Sequence, residues 1–168
     1  MRKKQVVVIG SSDEIGFQEE AHAIGAFIAD HGFVLITGGR GGIMESVSRG
    51  AAERGGTVIG IHPGEDLELA NPFCSIVIPT GMGYARNAIN ILAADVVVAI
   101  GGKSGTLSEL AYAKTYGKPV ICCSFAGGWS AVFPQIHIDG QEDGLFMTAE
   151  NPNEVCRMIE EILTGGDE

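Results

Sequence analysis

DVVVAIGGKSGTLSELAYAKTYGKPVICCSF, residues 95–125, reads as a strand, a glycine-rich turn, a helix and a second strand. The runs VVVAI and PVICC are continuously apolar, the pattern of strands that are covered on both faces. The turn between them resembles a triphosphate loop, but that loop needs a glycine five residues before Gly102. Val97 stands there, inside the strand. A triphosphatase is therefore disfavoured, and the shorter turn needs another purpose.

The same alternation extends in both directions. Apolar runs at 5–10, 33–39, 57–63 and 75–79 predict strands, and 144–149 a last one. Helical spacing is found at 17–32, 42–56, 84–94, 106–117 and 151–166. The last of these has Asn151 as N-cap, Pro152 at its first position and Gly165 as its stop. Residues 126–142 are glycine-rich and follow neither period. The pattern predicts a single doubly wound, Rossmann-like α/β domain over residues 1–168 with a mainly parallel central sheet.

With 45% hydrophobic residues among 168, the chain suits one domain with a full core. Its 11 Lys and Arg against 21 Asp and Glu give a net charge of −10, which opposes sequence-independent attraction to nucleic acid. No apolar run approaches the length of a membrane span and no signal-peptide core follows MRKK, so a cytoplasmic protein with no membrane partner is expected. Cys74, Cys122, Cys123 and Cys156 form no Cys-x-x-Cys pair, and adjacent Cys122 and Cys123 are expected on opposite faces of a strand. His22, His31, His62 and His137 show no metal spacing, so no metal site is expected.

In a doubly wound sheet, ligands bind beyond the carboxyl ends of the strands. Four candidate turns fall there: IGSSDEIG (9–16), TGGRGGIME (37–45), PTGMGYARN (79–87) and IGGKSGTLSE (100–109). Each brings backbone N–H groups and a helix start to one edge, where an anion is favoured. The expected ligand is a phosphate-bearing small molecule. The residues expected to hold it are Gly10, Ser11 and Ser12, then Gly38, Gly39, Gly41 and Gly42. Met82 and Asn90 join them, with Gly101, Gly102, Lys103, Ser104, Gly105 and Thr106 on the fourth turn. A nicotinamide site is disfavoured, because IGSSDEIG lacks the second glycine of the dinucleotide fingerprint.

Arg86 lies where a cation opposes a helix dipole, which an anionic ligand would explain and plain solvent exposure would explain equally. Asn90 shares its helix face. Thr106 and Glu109 have the spacing of a capping box, so Glu109 reads either as a helix cap or as a carboxylate presented to a ligand. Arg40 and Lys103 are within reach of a phosphate, and His62 ends a strand on the same edge. Trp129 and Phe133 read as pocket cover, subunit contact or ordinary core.

The segments GGRGGIMESVSRGAAERGGTVIGIHPG, NPF and TGMGYARNAINILAADVVVAIGGKSGTLSELAYAKTYGKPV together resemble the LOG-like family, related to DprA and once labelled lysine decarboxylases. The match is to its short branch, which includes molybdenum-cofactor carrier proteins. The resemblance implies a Rossmann-like homodimer or higher homo-oligomer that binds a nucleotide or nucleotide-like phosphate. LOG enzymes hydrolyse the N-glycosidic bond of a nucleoside 5′-monophosphate. Their Pro-Gly-Gly-x-Gly-Thr-x-x-Glu signature is represented here by Gly101, Gly102, Gly105, Thr106 and Glu109, and their catalytic arginine by Arg86. Ile100 replaces the proline, and Asn87 stands where those enzymes carry lysine. Two functions follow from the resemblance. One is a phosphoribohydrolase with Glu109 and Arg86 catalytic and no cofactor required. The other is a non-catalytic carrier or sensor of a nucleotide or of molybdenum cofactor.

Overall fold

The structure, a computed structural model, describes residues 1–137 and 144–165. The end of the 126–142 segment lies outside the described residues, as does the last residue of the helix expected at 151–166. Among the described residues, seven strands form one sheet: β1 (Gln5–Gly10), β2 (Val34–Thr37), β3 (Val58–His62), β4 (Ile76–Pro79), β5 (Val96–Ile100), β6 (Val120–Cys123) and β7 (Phe146–Ala149). Their order is β4-β3-β2-β1-β5-β6-β7, and every neighbouring pair is parallel. The helices are α1 (Gln18–Asp30), α2 (Ile43–Glu53), α3 (Asn87–Leu92), α4 (Ser104–Thr115), α5 (Gly128–Val132) and α6 (Pro152–Thr164). This is the Rossmann-like α/β fold.

Alternation along the strands divides the core into two layers. Val6, Val8, Val96, Val98 and Ile121 meet Ile24 and Ile28 of α1, Val47 of α2 and Ile159 of α6. Val7, Ile9, Val97 and Ala99 point the other way, onto Ile91 of α3, Leu110 of α4 and Phe133. Each fully buried valine or isoleucine stabilises the fold by about 1.5–3 kcal/mol relative to exposure. Cys122 and Cys123 fall in opposite layers, both fully buried, and burial raises the Cys122 thiol to about 12. They act as small core residues.

Two helices depart from their predicted limits at the ligand edge. The one expected over 84–94 begins as a 3-10 turn, Gly83–Arg86, and becomes α-helical only at Asn87. Gly81 and Gly83 both have positive φ, and the chain turns sharply before the helix can start. The helix expected from Thr106 begins two residues earlier, at Ser104. That difference changes the reading of Glu109.

The segment after β6 has structure of its own: a 3-10 turn at Ser124–Ala126, α5, and a second 3-10 turn at Phe133–Gln135. Phe133 is buried against Phe146, with ring centroids 4.9 Å apart, and Trp129 packs on the same core layer. Both residues are core packing and do not line the ligand cavity.

Candidate functional site

The chain leaves β1 toward β2 on one side and β5 toward β6 on the other, so strand order reverses between β1 and β5. A crevice opens at that point beyond the strand ends. It holds a cavity of about 360 Å³. The β1 turn contributes Gly10, Ser11, Ser12 and Asp13 to one wall. The opposite wall is the start of α4, with Lys103, Ser104, Gly105, Thr106 and Glu109. Tyr84, Arg86 and Asn87 form a third side, and Arg40 and Met44 come from the β2–α2 connection.

No side chain caps α4, whose N-cap residue is Lys103. The amides of Ser104, Gly105 and Thr106 therefore lack intrahelical acceptors at the cavity wall, where the helix dipole favours an anion. Lys103, Arg40 and Arg86 bring three cations to this cavity in a chain whose net charge is −10. Lys103 and Ser104 both stand between Gly102 and Gly105, one residue more than the family signature has. The turn before them is tight: Gly102 has φ +101, and a Cβ there would lie 2.3 Å from Thr106 Oγ1.

The remaining expected residues sit outside the cavity wall, and the glycines among them support it. The Gly101 N–H donates to Ser130 Oγ (2.8 Å), and the Gly101 and Gly102 carbonyls accept from the Ser130 and Trp129 amides. The Gly101 amide is thus directed into the fold. Gly39 N–H donates to Thr37 Oγ1 (3.1 Å). Gly41 and Gly42 let α2 approach the β1 turn, where Ile43 N–H donates to the Ser11 carbonyl (3.2 Å). The Gly38 carbonyl accepts from Arg86, and Met82 is exposed.

Arg86 is 5% exposed. Its Nε donates to the Ile61 carbonyl (2.9 Å), one terminal nitrogen to the Gly38 carbonyl (3.2 Å), and the other to Asn87 Oδ1. It ties the ends of β2 and β3 to the start of α3. Asn87 continues the link by donating to Ser108 Oγ (2.9 Å) on α4.

Glu109 is no helix cap. Because α4 begins at Ser104, Thr106 lies inside the first turn and Glu109 beyond it, so the capping box does not form. Glu109 is 7% exposed, and its carboxyl accepts a hydrogen bond from Asn90 Nδ2 (3.4 Å). Burial pushes its pKa up to about 7, against the opposing pull of Arg86 and Asn90. Asn90 Oδ1 is itself buried without a partner, so both ends of this pair retain hydrogen-bonding capacity.

His62 is buried and accepts the Gly64 amide through Nδ1 (3.0 Å). Desolvation, then Arg86 and Arg40, lower its pKa, so it serves as a neutral structural residue behind the site. Among the described residues, no group of three or more His, Cys, Asp or Glu could hold a metal. No helix of the described residues is long and apolar enough to cross a membrane.

Sequence reasoning passed over Asn71, Asp13 and Tyr84. Asn71 Nδ2 donates to the Arg40 carbonyl (3.0 Å) and its amide to Gly39 O (2.9 Å), which fixes the glycine turn after β2. Each lies in a segment already suspected, so position could have flagged them; their partners could not be read from spacing.

A Rossmann-like sheet with an uncapped helix start at its switch point defines an α/β protein whose crevice has the electrostatics to favour an anion. The chain belongs to the SLOG cluster4 family, whose model matches residues 3–156. It is 37% identical over 158 residues to an uncharacterized protein of Archaeoglobus fulgidus, covering 93% of this chain and 96% of that one. The structure of the molybdenum cofactor binding protein from Rippkaea orientalis superposes with TM-score 0.87 at 36% identity, covering 98% of this chain and 99% of that one. That of the molybdenum cofactor carrier protein from Chlamydomonas reinhardtii has TM-score 0.84 at 34% identity, covering 96% and 99%. DNA processing protein A from Helicobacter pylori shares only the fold, at 18% identity and TM-score 0.70 over 94% of this chain and 80% of that one.

Proposed function

We propose that this protein is a carrier that binds a phosphate-bearing, pterin-type ligand of the molybdenum cofactor class and releases it unchanged. The similarity to carrier proteins supports this reading, and one observation carries it. Glu109 keeps its proton to about pH 7 in a buried setting, while three guanidinium donors of Arg86 are directed to Ile61, Gly38 and Asn87.

Hydrolysis of a glycosidic bond calls for an ionised carboxylate to stabilise positive charge on the sugar or to activate water. The protonated fraction of Glu109, about half at pH 7, donates a hydrogen bond, which suits recognition of a carbonyl or ring nitrogen.

The cavity residues fit such a ligand. The free amides of Ser104, Gly105 and Thr106 suit a phosphate, with Lys103 beside them. Tyr84, 76% exposed at the rim, offers a ring face for stacking on a flat heterocycle. The metal arrives as part of the cargo, so the protein need not supply a ligand set for it.

The second reading is a nucleoside 5′-monophosphate phosphoribohydrolase, favoured by the presence of both Arg86 and Glu109 in one cavity. It requires the ionised form of Glu109, so its turnover should rise as pH passes 7.

One experiment separates the two. The purified protein is incubated with a panel of nucleoside monophosphates, and free base is followed by chromatography. In parallel, molybdenum cofactor released from a molybdoenzyme is tested for retention on gel filtration. Retention without base release supports the carrier. Base release that disappears in Glu109→Gln overturns it in favour of the enzyme.

The reading includes self-association. Ile76 and Ile78 of edge strand β4 are both about half exposed, and they stand in register with Ile59 and Ile61 on one sheet face. Ile89 and Leu92 of α3 add exposed apolar surface. A second copy covering this face would remove it from water, and light scattering would report the dimer.

A further inference from the structure

Two donors expected to meet the ligand already have an anion. Lys103 Nζ lies 2.7 Å from Asp13 Oδ2, and Ser11 Oγ donates to Asp13 Oδ1. All three residues line the cavity. Asp13 belongs to the β1 turn and Lys103 to the start of α4, so the ion pair bridges the crevice from wall to wall. A carboxylate that gathers an ammonium and a hydroxyl presents the contacts a phosphate oxygen would make. Lys103, with Ser11, lowers Asp13 to about 2, so the carboxylate is charged throughout the working range. Glu14, whose carboxyl lies beside Gly101, adds a second negative charge near Lys103.

We propose that Asp13 is a built-in competitor for the anionic group of the ligand: a phosphate displaces its carboxylate from Lys103 and Ser11, and Asp13 thereby sets affinity and selectivity. The inference rests on the phosphate-ligand reading above. Its logic is intramolecular competition. Apparent affinity is the intrinsic affinity reduced by the fraction of molecules in which Lys103 is free. The pair is exposed, with side-chain exposures of 70% and 65%, so it is weak and readily broken.

A dianionic phosphate brings more charge to Lys103 than the single carboxylate does and can displace it. A neutral nucleoside or a monocarboxylate cannot. When the ligand leaves, Asp13 returns, which keeps binding reversible, as a carrier needs. Displacement frees the Asp13 side chain, while the phosphate takes its place between Ser11 of the β1 turn and Lys103 of α4.

The test is calorimetric titration of wild type, Asp13→Asn, Lys103→Met and the double variant with guanosine 5′-monophosphate and with isolated molybdenum cofactor. Asp13 and Lys103 are surface residues, and thermal melts establish that all four proteins are folded. Asp13→Asn should bind about threefold to tenfold tighter. Lys103→Met should bind more weakly, and the double variant should show none of the gain. Saturable binding by wild type with no gain, or a loss, in Asp13→Asn overturns the inference and leaves the phosphate reading standing. Failure of both ligands to bind wild type and Asp13→Asn alike overturns the phosphate reading, and this inference with it.

Discussion

Arg86 and Glu109 border the same cavity yet form no ion pair: Arg86 donates to Ile61, Gly38 and Asn87, and Glu109 is held by Asn90. The guanidinium acts on the carboxyl through space, lowering a pKa that burial raises further than it lowers. One residue is therefore a structural clamp and the other a buried acid that is about half ionised at neutral pH. Their separate substitution should have separate consequences.

Glu109→Gln should stabilise the protein at neutral and alkaline pH. Below the unfolded value of 4.5 the carboxyl is protonated in both states and costs nothing. Between 4.5 and about 7 the unfolded chain releases the proton while the folded protein keeps it, so stability falls as pH rises. Above that the cost is constant, about 3 kcal/mol at most. Glutamine mimics the protonated acid, so the variant should escape this loss. Urea denaturation at a series of pH values checks it; equal pH slopes for both proteins would refute the buried-acid description.

Arg86→Lys should destabilise by about 2–4 kcal/mol, because one ammonium cannot meet three acceptors that diverge from a planar fork. The Gly38 and Ile61 carbonyls and Asn87 Oδ1 would lose partners. Chemical denaturation measures the loss, and a change under about 0.5 kcal/mol would remove Arg86 as a clamp.

Ser130→Ala should cost about 1–3 kcal/mol. The hydroxyl is fully buried, accepts from Gly101 N–H and donates toward the Cys123 carbonyl (2.7 Å). Its loss orphans the Gly101 amide beneath the ligand turn. Ligand affinity measured alongside stability should fall, although Ser130 does not line the cavity.

Gly102→Ala should disrupt the turn itself. The residue has φ +101, and an added Cβ would sit 2.3–2.5 Å from Thr106 side-chain atoms. Strain of about 1–3 kcal/mol is expected from the backbone alone. Titration of phosphate-bearing ligands should show weakened binding as the start of α4 shifts. A variant with native stability and binding would refute this account.

Continuous apolar runs such as VVVIG and DVVVAI, separated by helical spacing, determine the parallel sheet, because a strand covered on both faces must be apolar throughout. Asn151 and Pro152 likewise declare the start of α6 locally, and the Asn151 side chain accepts from Glu154 N–H as a cap should. That the turns bearing Ser11, Lys103 and Thr106 meet at one cavity is legible in the sequence too, because strand ends of a doubly wound sheet converge on one edge.

Chemical roles were not legible. Whether Thr106 and Glu109 cap a helix depends on where α4 begins, and the Gly101–Gly102 turn that α4 follows is held by α5, 26 or more residues later in the chain. The burial that raises Glu109, the Ile61 and Gly38 carbonyls that hold Arg86, and the meeting of Asp13 with Lys103 across 90 residues all involve groups far apart in sequence. Periodicity records which face of an element is apolar, so sequence alone determined the sheet, its helices and the edge on which the glycine-rich turns gather. Hydrogen-bond partners and desolvation exist only once distant segments pack, so the tertiary structure alone decided that Arg86 is held by carbonyls, that Glu109 is buried and that Asp13 meets Lys103.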